Sequence, residues 1–135
     1  MQTLNLLIRT TDDTLKTSKE IVIGEKCSND DFIMYTYKTE LGNCSIYYHI
    51  NTNHIEITRD EHKNKSIKFE IHENIHSNFY YNVDKFTTEF FLLGDSISYN
   101  HGKLIFNYAF YNNLGDLKGG KNRVNKICMS IEEIK

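Results

Sequence analysis

The feature that most constrains this chain is the alternating stretch Gly102–Tyr111, which reads GKLIFNYAFY. Successive side chains of a β-strand point to opposite faces, so this segment has two distinct sides. One side carries Leu104, Phe106, Tyr108 and Phe110. Four large apolar groups in a row need a curved sheet to cover them. The stretch therefore predicts a strand of a sheet that wraps around a core.

Segments of the same kind recur along the chain, separated by turn signals about every ten residues. They predict strands at 4–8, 21–27, 32–39, 44–50, 55–59, 67–71, 79–81 and 86–93, the last with a short continuation at 97–99. Residues 112–122 are predicted as a loop. Residues 123–134 fit both a helical stripe and a strand face, and we favour a closing strand because it would seal the sheet edge. The sequence thus predicts an all-β protein, a single antiparallel up-and-down β-barrel of about 8–10 strands that spans residues 1–135.

Composition narrows the classes of partner. A formal net charge of −2 argues against a nucleic-acid backbone or an anionic membrane as partner. The longest apolar run, Phe90–Leu93, is far shorter than the roughly 20 residues of a membrane-spanning helix. Cys27, Cys44 and Cys128 are odd in number and follow no secretory leader. We therefore expect reduced thiols in a cytoplasmic protein.

The pentapeptide His72-Glu73-Asn74-Ile75-His76 spells a zinc-hydrolase motif. That chemistry requires a helix, in which the two histidines lie about 6 Å apart, whereas four residues of strand separate them by about 13 Å. The preceding residues alternate as a strand, so we predict a turn with no metal site. His72 and His76 remain the candidate ligands of a remote alternative, a zinc hydrolase.

A second motif, at 115–122, nearly matches a phosphate-binding loop, with Asn122 in place of the hydroxyl residue. Such a loop opens a helix within a parallel sheet that continues afterwards. Only 13 residues follow Asn122, so no nucleotide-binding core can be built. We predict a glycine-rich loop there, and no cofactor.

Arg59 shares a predicted strand face with Ile55 and Ile57, which would direct its guanidinium into the barrel. One interpretation is an anchor for the anionic head group of a ligand. The alternatives are that Arg59 leaves the strand end for solvent beside Asp60, or pairs with a carboxylate such as Glu89. Tyrosine hydroxyls facing the interior would add polarity, although a barrel tyrosine is often a core residue with a satisfied hydroxyl. The candidate tyrosines are Tyr37, Tyr48, Tyr99 and Tyr108.

The order of these segments resembles the YwiB-like family, small bacterial proteins of unknown function. The parallels are Tyr37 and Glu40 before a glycine turn, Arg59 at the end of an alternating strand, Phe69 ten residues on, and Tyr108 in the strand that Gly102 opens. The resemblance implies a calycin-like or lipocalin-like β-barrel and brings no established activity.

These observations favour a non-enzymatic barrel that binds a small, partly apolar ligand in its lumen through Arg59 and tyrosines. The alternative is an interaction protein with a filled barrel, which forms a homodimer through outward groups such as Ile105, Ala109 and Tyr111.

Overall fold

A computed structural model describes residues 1–40, 42–61 and 65–134. Ten antiparallel strands follow one another around a closed barrel. The strands are β1 (Gln2–Thr11), β2 (Thr17–Ser28), β3 (Phe32–Thr39), β4 (Gly42–His49), β5 (His54–Glu61), β6 (Lys65–His72), β7 (His76–Val83), β8 (Phe86–Asn100), β9 (Lys103–Tyr111) and β10 (Asn125–Ile134). The prediction of an all-β, up-and-down barrel is confirmed.

The barrel closes where the first strand meets the last. Strand β1 pairs with β10 over seven positions, from Asn5 opposite Ile134 to Thr11 opposite Cys128. The C-terminal segment is therefore the predicted closing strand and not a helix. Each strand thus has a neighbour on both sides, and the alternation of side chains separates an interior from an outer surface.

The interior core lies around the middle of the barrel. Its members are the large residues that alternate inward from every part of the sheet. The largest fully buried ones are Tyr35, Phe106, Leu6, Ile46, Ile55, Ile57, Ile71, Leu92, Leu104 and Ile131. These side chains fill the lumen at this level and hold the strands at a fixed radius.

The predicted loop at 112–122 contains a short helix, α1 (Leu114–Gly119). Asn113 caps its start by accepting a hydrogen bond from the Asp116 amide, and Gly120 ends it in the left-handed conformation. A stretch this short carries too little periodicity to be recognised in the sequence. No helix among the described residues is long and apolar enough to cross a bilayer.

Helix α1 covers part of the outer face of β9. Leu117 packs against Ala109 and Tyr111, and all three side chains are buried within one chain. Ala109 and Tyr111 are therefore covered by this helix and are not available for the dimer face that the sequence suggested.

Strand β8 bends at a bulge between Gly94 and Ile97. Gly94 lies against the turn that follows β6, where its amide donates to the Ile75 carbonyl at 3.3 Å and its carbonyl accepts from the Asn74 amide at 3.1 Å. A β-carbon at position 94 would overlap the His72 carbonyl oxygen. Glycine is therefore required by the close approach of two backbones.

We expect Gly94→Ala to lower the free energy of unfolding by about 1–3 kcal/mol, because the strands must separate to admit a methyl group. The midpoint of guanidinium denaturation measures this. Gly119→Ala is the control, since its β-carbon meets only Lys121 side-chain atoms at 3.9 Å and beyond. Equal midpoints for the two variants would contradict the packing argument.

Candidate functional site

The two ends of the barrel differ in how the interior is filled. The odd-numbered strands all begin at one end of the barrel and finish at the other. We call the end where they finish the Arg59 end and the end where they begin the Glu133 end. Each name is that of an inward-facing residue near that end. Side chains occupy the lumen towards the Glu133 end, whereas two adjoining cavities occupy the Arg59 end.

The first cavity, of about 420 Å³, has mainly aromatic and aliphatic walls. Its lining comprises Thr10, Arg59, Ile67, Phe69, Phe79, Tyr81, Phe90, Tyr108, Phe110, Asn125, Ile127 and Met129. The rings pack on each other, with the Phe69 centroid 5.2 Å from Phe79 and 5.4 Å from Tyr108. Such a cavity can receive an apolar body of modest size.

The second cavity, of about 630 Å³, opens to solvent between β2 and β3. The described pairing of these strands runs from Ser28 opposite Ile33 to Gly24 opposite Tyr37. From Gly24 towards the Arg59 end, β2 has no described pairing with β3. Polar side chains line the opening, and the two cavities share Thr10, Arg59 and Met129. The opening is lined by Ser18, Lys19, Glu20, Thr39 and Glu40.

Arg59 forms part of the wall where the two cavities adjoin. It lies opposite Cys44 in the pairing of β4 with β5, so its guanidinium and the Cys44 thiol act on each other electrostatically. Burial lowers the pKa of Arg59, but Cys44, Tyr108 and Tyr37 more than offset this and leave the pKa raised. The guanidinium is therefore a permanent positive charge beside the cavities.

No carboxylate forms an ion pair with Arg59 within residues 1–40, 42–61 and 65–134. Asp60 is exposed on the other face of β5. Glu89, the internal partner considered from the sequence, accepts instead from the Asn78 amide at 3.0 Å. Glu61, on the same face as Arg59, accepts from the Tyr81 hydroxyl at 3.1 Å.

Two of the four candidate tyrosines lie with Arg59. Tyr37 is buried beside Cys44, and burial raises its pKa. Burial also raises the pKa of Tyr108 to about 12, despite the opposing effect of Arg59. Both hydroxyls are therefore protonated at neutral pH and can donate hydrogen bonds.

The other two candidates, Tyr48 and Tyr99, lie towards the Glu133 end. Tyr48 is four residues from Cys44 along β4, which is about 13 Å of strand. Its hydroxyl donates to Asn53 at 2.8 Å, and that of Tyr99 lies 3.4 Å from Glu133. Alternation along a strand identified the inward face correctly but carried no information on which end of the barrel each tyrosine occupies.

Glu133 is a polar interior residue that was not singled out from the sequence. Its carboxylate accepts from the Tyr35 hydroxyl at 2.6 Å and from the Lys26 ammonium at 2.9 Å. Burial raises the pKa of Glu133, but these hydrogen bonds outweigh burial and leave the pKa lowered. Glu133 follows the inward residues Met129 and Ile131 at intervals of two, so alternation along β10 could have predicted that it faces inward.

The zinc-hydrolase motif does not form a site of its own. His72 ends β6 and His76 begins β7, with a turn between them, as the sequence predicted. Among the described residues, His72 falls in a possible metal-ligand group with His54 and Glu70, which does not include His76.

Of known structures, this architecture matches that of a Bacillus subtilis protein, YwiB. The chain has the YwiB fold. Its similarity to the crystal structure of that protein has a TM-score of 0.67 at 10% sequence identity and covers 98% of this chain and 92% of the other. No family model and no curated protein matches the chain. At this identity the likeness concerns the fold alone, so function must be argued from the site.

We expect Glu133→Gln to destabilise the protein by about 1–3 kcal/mol at neutral pH, because the variant removes a charged hydrogen-bond acceptor. A carboxylate with a lowered folded pKa contributes stability that is present above its unfolded pKa and lost as pH falls through its folded pKa. The difference between wild type and variant, measured by urea denaturation, should therefore shrink below about pH 4. A difference that stays constant down to pH 2.5 would contradict the assignment.

Proposed function

We propose that this protein binds a small amphipathic molecule with an anionic group in the two cavities at the Arg59 end. In this proposal the barrel serves as a lipocalin-like, non-enzymatic binding protein of the bacterial cytoplasm. The observation that carries it is the Arg59 guanidinium, which lies on a cavity wall and forms no ion pair among the described residues.

The anionic group follows from the energetics of a desolvated charge. Removing a cation from water is costly unless an opposite charge or several hydrogen bonds replace the lost hydration. Arg59 is half-buried, and the groups that raise its pKa are the Cys44 thiol and the hydroxyls of Tyr108 and Tyr37, which are weak replacements for hydration. A carboxylate, sulfonate or phosphate would accept two parallel hydrogen bonds from the guanidinium.

The apolar part follows from the walls of the first cavity. Its volume of about 420 Å³ lies within the range of small-molecule sites, and the rings of Phe69, Phe79, Phe90 and Phe110 line it. An aromatic or short acyl group would bury its surface there while its charged end stays beside Arg59. Tyr37 and Tyr108 would supply neutral hydrogen-bond donors that bind and orient the ligand.

We expect purified wild-type protein to bind the probe anilinonaphthalene sulfonate with enhanced fluorescence, and its uncharged analogue N-phenylnaphthylamine more weakly. Arg59→Met should weaken sulfonate binding by about tenfold or more, because a hydrogen bond to a charged group is lost. The same variant should leave binding of the uncharged probe unchanged. Fluorescence titration measures all four affinities.

Lys126→Gln is the matched control, because it removes one positive charge from the outer face of β10. It should bind both probes as wild type does. Thr10→Phe, which would fill the space between the two cavities, should weaken both probes. The proposal fails if wild-type protein binds neither probe, or if Arg59→Met and Lys126→Gln behave alike.

A second candidate function, homodimer formation, is favoured by the outer edge of β2. Within the described residues, 17–23 pair with β1 alone, and Ile21 and Ile23 are 68% and 75% exposed. Unpaired main-chain groups on such an edge accept a further strand. Antiparallel pairing of two copies centred on Ile21 would set Lys19 opposite Ile23 and Glu20 opposite Val22, so no like charges would meet.

We expect wild-type protein to sediment as a dimer at micromolar concentration if this edge is the interface, and Ile23→Lys to sediment as a monomer. Ile75→Lys, which alters another exposed isoleucine away from β2, should remain dimeric. A monomeric wild type in sedimentation equilibrium would remove this candidate without affecting the cavity.

A further inference from the structure

We propose that the outer face of β4 and β5 carries a binding site for a divalent transition-metal ion, zinc foremost, formed by His49, His54 and Glu56. These residues face away from the lumen, so the site is separate from the cavities beside Arg59. The strand register creates it, because His49 is opposite His54 in the β4–β5 pair and Glu56 follows His54 on the same face.

The distances between the ligand atoms suit a single ion. Glu56 Oε1 lies 3.1 Å from His49 Nε2 and 3.8 Å from His54 Nε2. The three ligand atoms all fall within 4.8 Å of one another. Zinc bonds of about 2.0–2.1 Å in a tetrahedron place neighbouring ligand atoms about 3.3 Å apart. An ion therefore fits between these groups once the His49 ring, now 12° from parallel to His54, tilts so that the two Nε2 lone pairs converge.

His54 is held in position by its surroundings. Its ring stacks on His49 with centroids 4.0 Å apart and on His72 with centroids 4.6 Å apart. Its Nδ1 is hydrogen-bonded to the Thr52 hydroxyl, which leaves Nε2 directed towards Glu56. A hydrogen bond on the second ring nitrogen is the arrangement that fixes the tautomer of a metal-binding histidine.

The neighbouring residues form a second, overlapping group. His72 Nε2 lies 3.6 Å from Glu70 Oε2, and these two share His54 with the first group. Because both groups draw on the single imidazole of His54, we assign one ion to each chain. We assign the ion to His49, His54 and Glu56, where one carboxylate oxygen already contacts both rings.

The donor set indicates the chemical class of the ion. Two imidazoles and one carboxylate suit zinc and its neighbours better than calcium or magnesium, which prefer oxygen ligands alone. The side chains of His49 and Glu56 are 29% and 32% exposed, so solvent can complete the coordination. Three protein ligands with a solvent-accessible fourth position make an open site.

The test is titration of the untagged, chelator-treated protein with Zn²⁺ by calorimetry, and with Co²⁺ by visible absorption. We expect one ion per chain and cobalt d–d bands of the intensity typical of four-coordination. His54→Phe preserves a ring in the stack but removes both nitrogens, and should abolish binding. His49→Ala and Glu56→Gln should each weaken binding by about tenfold or more, since even outer-shell changes cost 10–100-fold.

His76→Ala is the matched control, because it alters the other histidine of the pentapeptide and lies outside the group. It should bind zinc as wild type does. Far-ultraviolet circular dichroism without metal separates loss of ligand from loss of fold. The proposal is overturned if folded wild type binds no zinc, if His54→Phe binds normally, or if His72→Ala abolishes binding while His49→Ala does not.

Discussion

The structure depends on the pairing of β1 with β10. This ladder joins the first strand to the last, so every strand finds a partner and the sheet has a defined inside. Once the sheet is closed, the position of each residue along its strand determines whether its side chain faces the lumen or the outer surface. The interior Arg59, the interior Glu133 and the outer histidines are all consequences of that one closure.

The charged side chains at the two ends of the lumen differ in the partners that compensate them. Near one end, Glu133 is compensated by Lys26 and two tyrosine hydroxyls, so the carboxylate is integrated into the packing. Near the other, Arg59 has a thiol beside it and open volume around it. Removing one partner of a buried, hydrogen-bonded charge is costly to the fold, whereas a charge without such partners has hydrogen bonds to offer a ligand. In the proposed function, the barrel therefore has a stabilising charge cluster at one end and a ligand site at the other.

Much of the fold followed from alternation in the sequence. The strand segments and the face that Arg59 shares with Ile55 and Ile57 derive from a period of two, whereas the closing strand was favoured because it would seal the sheet edge. Alternation does not give the position of a residue along the barrel axis. The sequence therefore could not assign Tyr48 and Tyr99 to a different end of the barrel from Tyr37. The grouping of His49 with His54 needs the register between strands, which no single segment contains. Helix α1 is too short to show a helical period.

The gap between β2 and β3 has a kinetic consequence. A closed barrel with a sealed wall admits a molecule only when a loop moves or a hydrogen-bonded ladder separates, and such steps are slow. Here the described pairing of β2 with β3 ends at Gly24 and Tyr37. The polar opening between these strands, on the side of the Arg59 end, leads to Arg59. A molecule taking that route breaks no strand pairing, so its association rate would be set by diffusion and desolvation. Association of two copies along β2 would narrow the same route and make exchange slower in the dimer than in the monomer.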